Sequence, residues 1–203
     1  MPKSKIVTTK QYRELFSAEG EVRNLRKAVP LLRLAAAQGH ANAQNLVGYA
    51  YVKGIGVKPN PKVGVEWFRR AARKKVPEAI FNIALAYERG HGITKDLRKA
   101  FQGYRKAALL GYTPAQNNLS AFYREGLGTA SNIASALLWA RRAARQGDGE
   151  SQYNLGISYL YGWGVRKDKR RARGWLTKAA KQGDMEAKRL LRDLGKFVDM
   201  HDR

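Results

Sequence analysis

The residues of this chain whose types could do chemistry are three histidines, sixteen carboxylates and one dense run of cations behind a glycine pair. The run is "YGWGVRKDKRRARGW", Tyr161 to Trp175. Closely spaced glycines that open a helix can cradle a phosphate on backbone N–H groups. A Lys/Arg run of this kind is equally the mark of a nucleic-acid patch, or of a turn followed by a solvated helix. His40, His91 and His201 are scattered, and none has a second His or a paired acid at ligand spacing, so no metal site is expected. The acids sit mostly beside Lys or Arg, as Asp168 does in "RKDKRR", and no nucleophile–base pair can be named. Cysteine is absent, which excludes disulfides and thiolate ligands and fits a reducing compartment. The chain therefore reads as non-enzymatic and without a cofactor.

The elements that must position these residues repeat with a period of 36. "AQNLVGYAYVKGIGV" from Ala43, "AIFNIALAYERGHGI" from Ala79, "AQNNLSAFYREGLGT" from Ala115 and "SQYNLGISYLYGWGV" from Ser151 align without insertion. Tyr51, Tyr87, Tyr123 and Tyr159 stay in phase, as do Gly54, Gly90, Gly126 and Gly162 and the second glycines Gly56, Gly92, Gly128 and Gly164. In each copy an apolar residue (Val47, Ile83, Leu119, Leu155) and the tyrosine share one face of a first helix at i, i+4. Gly-x-Gly then ends that helix, because glycine accepts the left-handed C-cap conformation without steric cost. Asn24, Asn60, Asp96, Asn132 and Asp168 stand at the expected N-cap of a second helix. Paired alanines (Ala71-Ala72, Ala107-Ala108, Ala143-Ala144, Ala179-Ala180) allow close helix approach, and Trp139 and Trp175 supply apolar area. Since the same glycines recur without a strand–loop–helix context, the phosphate-loop reading is set aside.

The pattern A-x-x-x-L-G-x-x-Y-x-x-G-x-G-V…A-x-x-W…K-A-A-x-x-G resembles the Sel1-like repeat family, relatives of the tetratricopeptide repeats. Residues 151–187 are the closest copy, while Gly103 where Trp is usual and Thr129 for Val depart from it. The resemblance implies an all-α, right-handed α/α superhelix (solenoid) of antiparallel helix pairs. The expected organisation is a basic N-terminal segment over 1–20 with a degenerate first helix, then a solenoid over 21–195. Within it lie a partial repeat 21–42, full repeats 43–78, 79–114, 115–150 and 151–186, and a capping helix 187–198, before a tail 199–203.

The same resemblance implies a groove lined by first helices. Its candidate lining is Asn45, Tyr49 and Lys53, then Phe81, Asn82 and Arg89, then Asn117, Asn118 and Arg124, and finally Tyr153, Asn154 and Tyr161. In related repeats, asparagines phased like Asn82, Asn118 and Asn154 hold the backbone of an extended peptide; alternatively they bond neighbouring helices. Second helices carry most of the positive charge. One column runs through Arg69, Arg105 and Arg141, another through Arg70, Lys106, Arg142 and Lys178, with Arg170 and Arg171 added near the end. A phosphate backbone or an acidic protein surface would suit such a stripe. Stacking aromatics are not evident on that face, so base-specific recognition is not expected.

Thirty-nine Lys+Arg against sixteen Asp+Glu give a formal charge of +23, a field that attracts polyanions. No apolar run approaches the ~20 residues that span a bilayer, and the N-terminus lacks a signal-type apolar segment. The expectation is a cytoplasmic adaptor or scaffold of bacterial signalling or regulation, monomeric by default. It binds a protein partner with an acidic segment or surface; the alternative is nonspecific association with nucleic acid through the stripe.

Overall fold

The computed structural model describes residues 24–199. The degenerate helix expected before residue 21, the final residues of the tail and His201 lie outside them. Among the described residues there are ten helices and no strand. They alternate as α1 (Leu25–Ala37), α2 (Ala41–Lys53), α3 (Pro61–Arg73), α4 (Pro77–Arg89), α5 (Leu97–Leu109), α6 (Thr113–Glu125), α7 (Ile133–Arg145), α8 (Gly149–Tyr161), α9 (Lys169–Lys181) and α10 (Met185–Asp199). The capping helix thus starts at Met185 rather than 187. The chain divides into two compact units, Met1–Leu110, which holds α1 to α5, and Gly111–Arg203, which holds α6 to α10.

Each odd-numbered helix from α1 to α9 starts on the residue that the 36-residue spacing marked. The side chains of Asn24, Asn60, Asp96, Asn132 and Asp168 accept the backbone N–H three residues on, at 3.1, 3.2, 2.9, 2.8 and 2.9 Å. Each of the asparagine caps is worth about 1 kcal/mol. At Asp96 the Lys99 N–H is the main influence and holds the carboxyl below its ordinary value of 3.8. That cap therefore contributes fully above the ordinary value and is lost as pH falls through the lowered one.

The even-numbered helices α2 to α8 end on Gly54, Gly90, Gly126 and Gly162, all left-handed. The second glycine of the loop has a separate job. A Cβ on Gly92 would lie 2.4 Å from the Pro61 carbonyl carbon, so the loop after α4 rests directly on the first turn of α3. Lys75 is the one non-glycine with positive φ (60°) among the described residues, at the position that Gly39, Gly111, Gly147 and Gly183 occupy elsewhere. An L-residue there costs about 1 kcal/mol. Lys75→Gly is accordingly expected to raise the urea midpoint, by about 1 kcal/mol of stability; an unchanged midpoint would show that Lys75 is not strained.

The core follows a size rule between paired helices. A Cβ on Gly48 would meet Phe68 at 2.6 Å, and one on Gly156 would meet Leu176 at 2.6 Å. A bulky residue on the odd helix thus fills the notch left by glycine on the even one. Ala84 in α4 takes the same place opposite Tyr104, which is fully buried and donates its hydroxyl to the Glu88 carboxylate. Room for Ala84 comes from Gly103, where a Cβ would lie 2.7 Å from that of Ala84. The missing tryptophan at 103 is therefore a compensated change. At the far end, Leu190, Leu191 and Leu194 of α10 pack on Leu176, Ala179 and Ala187 and cover the last repeat.

Candidate functional site

Two grooves with equivalent linings stand out, one in each unit. In the first, α2 and α4 form the walls and α3 the floor. Tyr49, Val52, Lys53, Asn82, Leu85 and Arg89 face a cavity of about 160 Å³, closed below by Phe68. Four of these residues, Tyr49, Lys53, Asn82 and Arg89, were expected in a groove from the family resemblance.

In the second, α6 and α8 form the walls and α7 the floor. Arg124, Asn154, Ile157 and Trp163 stand around a cavity of about 190 Å³, with Ile133, Leu137 and Ala140 beneath. Asn82 and Asn154, Leu85 and Ile157, His91 and Trp163 are pairs two repeats apart. The size rule is relaxed here, because Ala140 occupies the place of Phe68, Tyr104 and Leu176. Ser120 opposite it cannot replace the lost volume, so an apolar hollow remains. Ser120, Ile133, Leu137, Ala140, Ile157 and Trp163 were not anticipated as lining. The readable signal was an alanine in phase with three bulky residues.

Arg124 and Asn154 were also expected in a groove; the remaining candidates sit elsewhere. Asn45 accepts from Asn82 Nδ2 at 3.1 Å, tying α2 to α4. Asn117 donates to Glu150 Oε2 at 2.8 Å and accepts from the buried Ser151 hydroxyl at 3.0 Å, tying α6 to α8. Asn45 and Asn117 therefore hold neighbouring helices in register. Phe81 packs its ring 5.5 Å from that of Tyr104. Tyr153 lies against the core that α10 covers, and burial together with Glu186 and Asp184 raises its pKa, keeping the phenol neutral. Asn118 is half-buried, Arg124 pairs with Glu125 at 2.9 Å on the rim, and Tyr161 stacks on Trp163 with centroids 5.4 Å apart.

The cationic columns differ from expectation in one respect. Stacking aromatics are present on that face, three residues before the cations. Arg70 lies 4.5 Å over Trp67, Arg142 4.5 Å over Trp139 and Lys178 4.4 Å over Trp175. Residues i and i+3 of a helix are neighbours, so each repeat covers its own tryptophan with its own cation. Lys106 lacks such a platform because residue 103 is glycine. Arg69, Arg105 and Arg170 are exposed; Arg141 is half-buried and donates to the Tyr159 hydroxyl at 3.3 Å. Arg171 pairs with Asp168 at 3.2 Å and lies 5.6 Å over the Tyr159 ring.

Comparison with known proteins adds the family. The Sel1 repeat profile matches residues 15–40, 41–76, 77–112, 113–148 and 149–184. The chain belongs to the Sel1 repeat family. A Sel1 repeat protein from Oxalobacter formigenes has a similar crystal structure, with 39% identity and a TM-score of 0.76 over 83% of this chain and 67% of that one. The protective antigen c5321 of uropathogenic Escherichia coli, which displays the same repeat fold, is 33% identical with a TM-score of 0.74. That match covers 85% of this chain but only 37% of the antigen. The immunity protein Pa5087 of Pseudomonas aeruginosa shares the fold at 23% identity and a TM-score of 0.57, over 82% of this chain and 62% of its own. No curated protein sequence matches. The Sel1 chain is thus an all-α solenoid of helix-pair repeats, of the kind that generally serves as a protein–protein interaction scaffold. Among the described residues no helix is long and apolar enough to cross a membrane, and no three potential metal ligands cluster.

Proposed function

We propose that this Sel1 repeat protein is a non-catalytic adaptor that binds extended acidic segments of a partner protein in the groove each unit forms between two even-numbered helices. The observation that carries this reading is the equivalence of the two grooves. Each offers an asparagine (Asn82 or Asn154) beside an apolar wall, with a basic rim of Lys53 and Arg89 in one and Arg124 in the other. Asparagine can donate to and accept from an extended backbone at once. Rim cations attract carboxylates and hasten encounter, while a hollow seats one apolar side chain. The +23 charge favours an acidic partner over a neutral one. The same reading puts the adaptor in bacterial signalling or regulation in the cytoplasm, supported by the lack of cysteine and by its bacterial relatives.

Selection of a displayed peptide library on the full chain tests it. Enriched peptides should carry Asp or Glu around a single large apolar residue. Their affinity by fluorescence anisotropy should weaken about tenfold in Arg124→Glu, the cost of losing and reversing one rim charge. A selection that enriches nothing acidic, or peptides indifferent to Arg124→Glu, would overturn the proposal.

A further inference from the structure

We infer that the loop joining α8 to α9, with the helix turns beside it, binds single-stranded nucleic acid. Phosphates would enter a cationic bay and bases would stack on an exposed aromatic pair. The bay is an open, largely polar concavity of about 660 Å³ whose cations are Arg141, Arg166, Lys167 and Arg171, against the single carboxylate of Asp168. Two of the guanidinium groups are pre-positioned, Arg141 by its bond to the Tyr159 hydroxyl and Arg171 by its pairing with Asp168. Arg166 and Lys167 are exposed and form no ion pair among the described residues. Held guanidinium forks, with free cations beside them, match phosphate oxygens in geometry as well as charge.

A few residues upstream, at the end of α8 and the start of the loop, Tyr161 and Trp163 stack at an interplanar angle of 29° while remaining 47% and 61% exposed. Packing of the repeat does not require this exposure. The equivalent loop of the first unit has Arg89 and His91 in their places, and Thr94 in place of Arg166. The second-unit loop thus departs from that copy in two ways at once, by adding an aromatic platform and one further cation, Arg166, since Lys95 already stands at the place of Lys167. That combination fits single strands, because every base has a π-face and every nucleotide a phosphate. An acidic peptide would answer the cations, but a nucleotide brings a stacking ring with every phosphate, which is why nucleic acid is favoured. No base-edge reader accompanies the site, so binding is indifferent to sequence.

The test is anisotropy of a fluorescein-labelled oligothymidylate titrated with the full chain, read alongside tryptophan fluorescence. About three phosphate contacts imply a roughly twentyfold loss of affinity between about 50 and about 200 mM salt. The double variant Arg166→Glu/Lys167→Glu should flatten that slope, and Trp163→Ala should weaken binding about tenfold and abolish quenching of tryptophan emission. An oligonucleotide that does not bind at the lower salt, or binds the charge-reversed variant equally well, overturns the inference. So does polyglutamate that competes as effectively as a second oligonucleotide, since the bay would then be an acidic-protein surface.

Discussion

Gly92→Ala should lower stability by about 3 kcal/mol, while Gly90→Ala, two residues earlier in the same loop, should cost only about 1 kcal/mol. Both glycines have similar left-handed dihedrals, φ +76° and +70°, so the conformational penalty of an L-residue is shared. What differs is what a methyl group would meet. On Gly90 it would meet Lys95 Cβ at 3.3 Å, a contact that a shift of a few tenths of an ångström relieves. On Gly92 it would lie 2.4 Å from the Pro61 carbonyl carbon and 2.5 Å from its oxygen. Those are backbone atoms at the first turn of α3, next to Asn60, whose cap fixes that turn. The loop must back away, and the contact between successive repeats loosens. In an array where each repeat touches only its neighbours, that interface is a large share of local stability. Urea denaturation followed by circular dichroism compares the two variants directly. Equal losses would mean that the second glycine is only a turn residue and not a spacer between repeats.

The caps and the Gly-x-Gly joints were legible because each mark appears four or five times in phase, so a chance residue cannot imitate it. Asn60 alone is an ordinary loop asparagine; together with Asn24, Asp96, Asn132 and Asp168 it defines where five helices begin. The groove was half legible. Asn82 and Asn154, put in a groove by the family resemblance, line the two cavities, but the roles of Asn45 and Asn117 depend on Asn82, Glu150 and Ser151 of the next even helix, more than thirty residues away. No local pattern reports such a bond. The cations over Trp67, Trp139 and Trp175 were legible in principle, since i, i+3 spacing stacks them. Treating the tryptophans only as core concealed the fact that one ring can serve the core and a surface cation at once. The hollow above Ala140 needed two facts together, the size of residue 140 and the identity of its partner Ser120 across the helix pair.

That hollow gives the second large effect. Replacing Ser120 by Gly and Ala140 by Leu together should remove acidic-peptide binding by ten- to a hundredfold and leave the fold intact. The double change recreates in α6 and α7 the pairing that Gly156 and Leu176 already make in α8 and α9, where a Cβ on the glycine would sit 2.6 Å from the leucine. The new side chain therefore has a precedent in this same chain for where to go, and it goes into the cavity of about 190 Å³. A cavity of roughly 150 Å³ suffices for benzene, so the empty hollow admits one branched or aromatic side chain of a partner, and a filled one admits none. Burying such an anchor is worth about 1.5–3 kcal/mol, which is the origin of the expected factor. The protein should not suffer, because the leucine gains burial of similar size while the helix glycine costs about 1 kcal/mol. Ser120→Gly alone supplies the comparison: it should lose a little stability and keep its peptide. Binding that survives the filled hollow, in a protein of unchanged stability, would show that the partner's apolar residue does not sit there, and the grip would then rest on Asn154 and the rim charge of Arg124 alone.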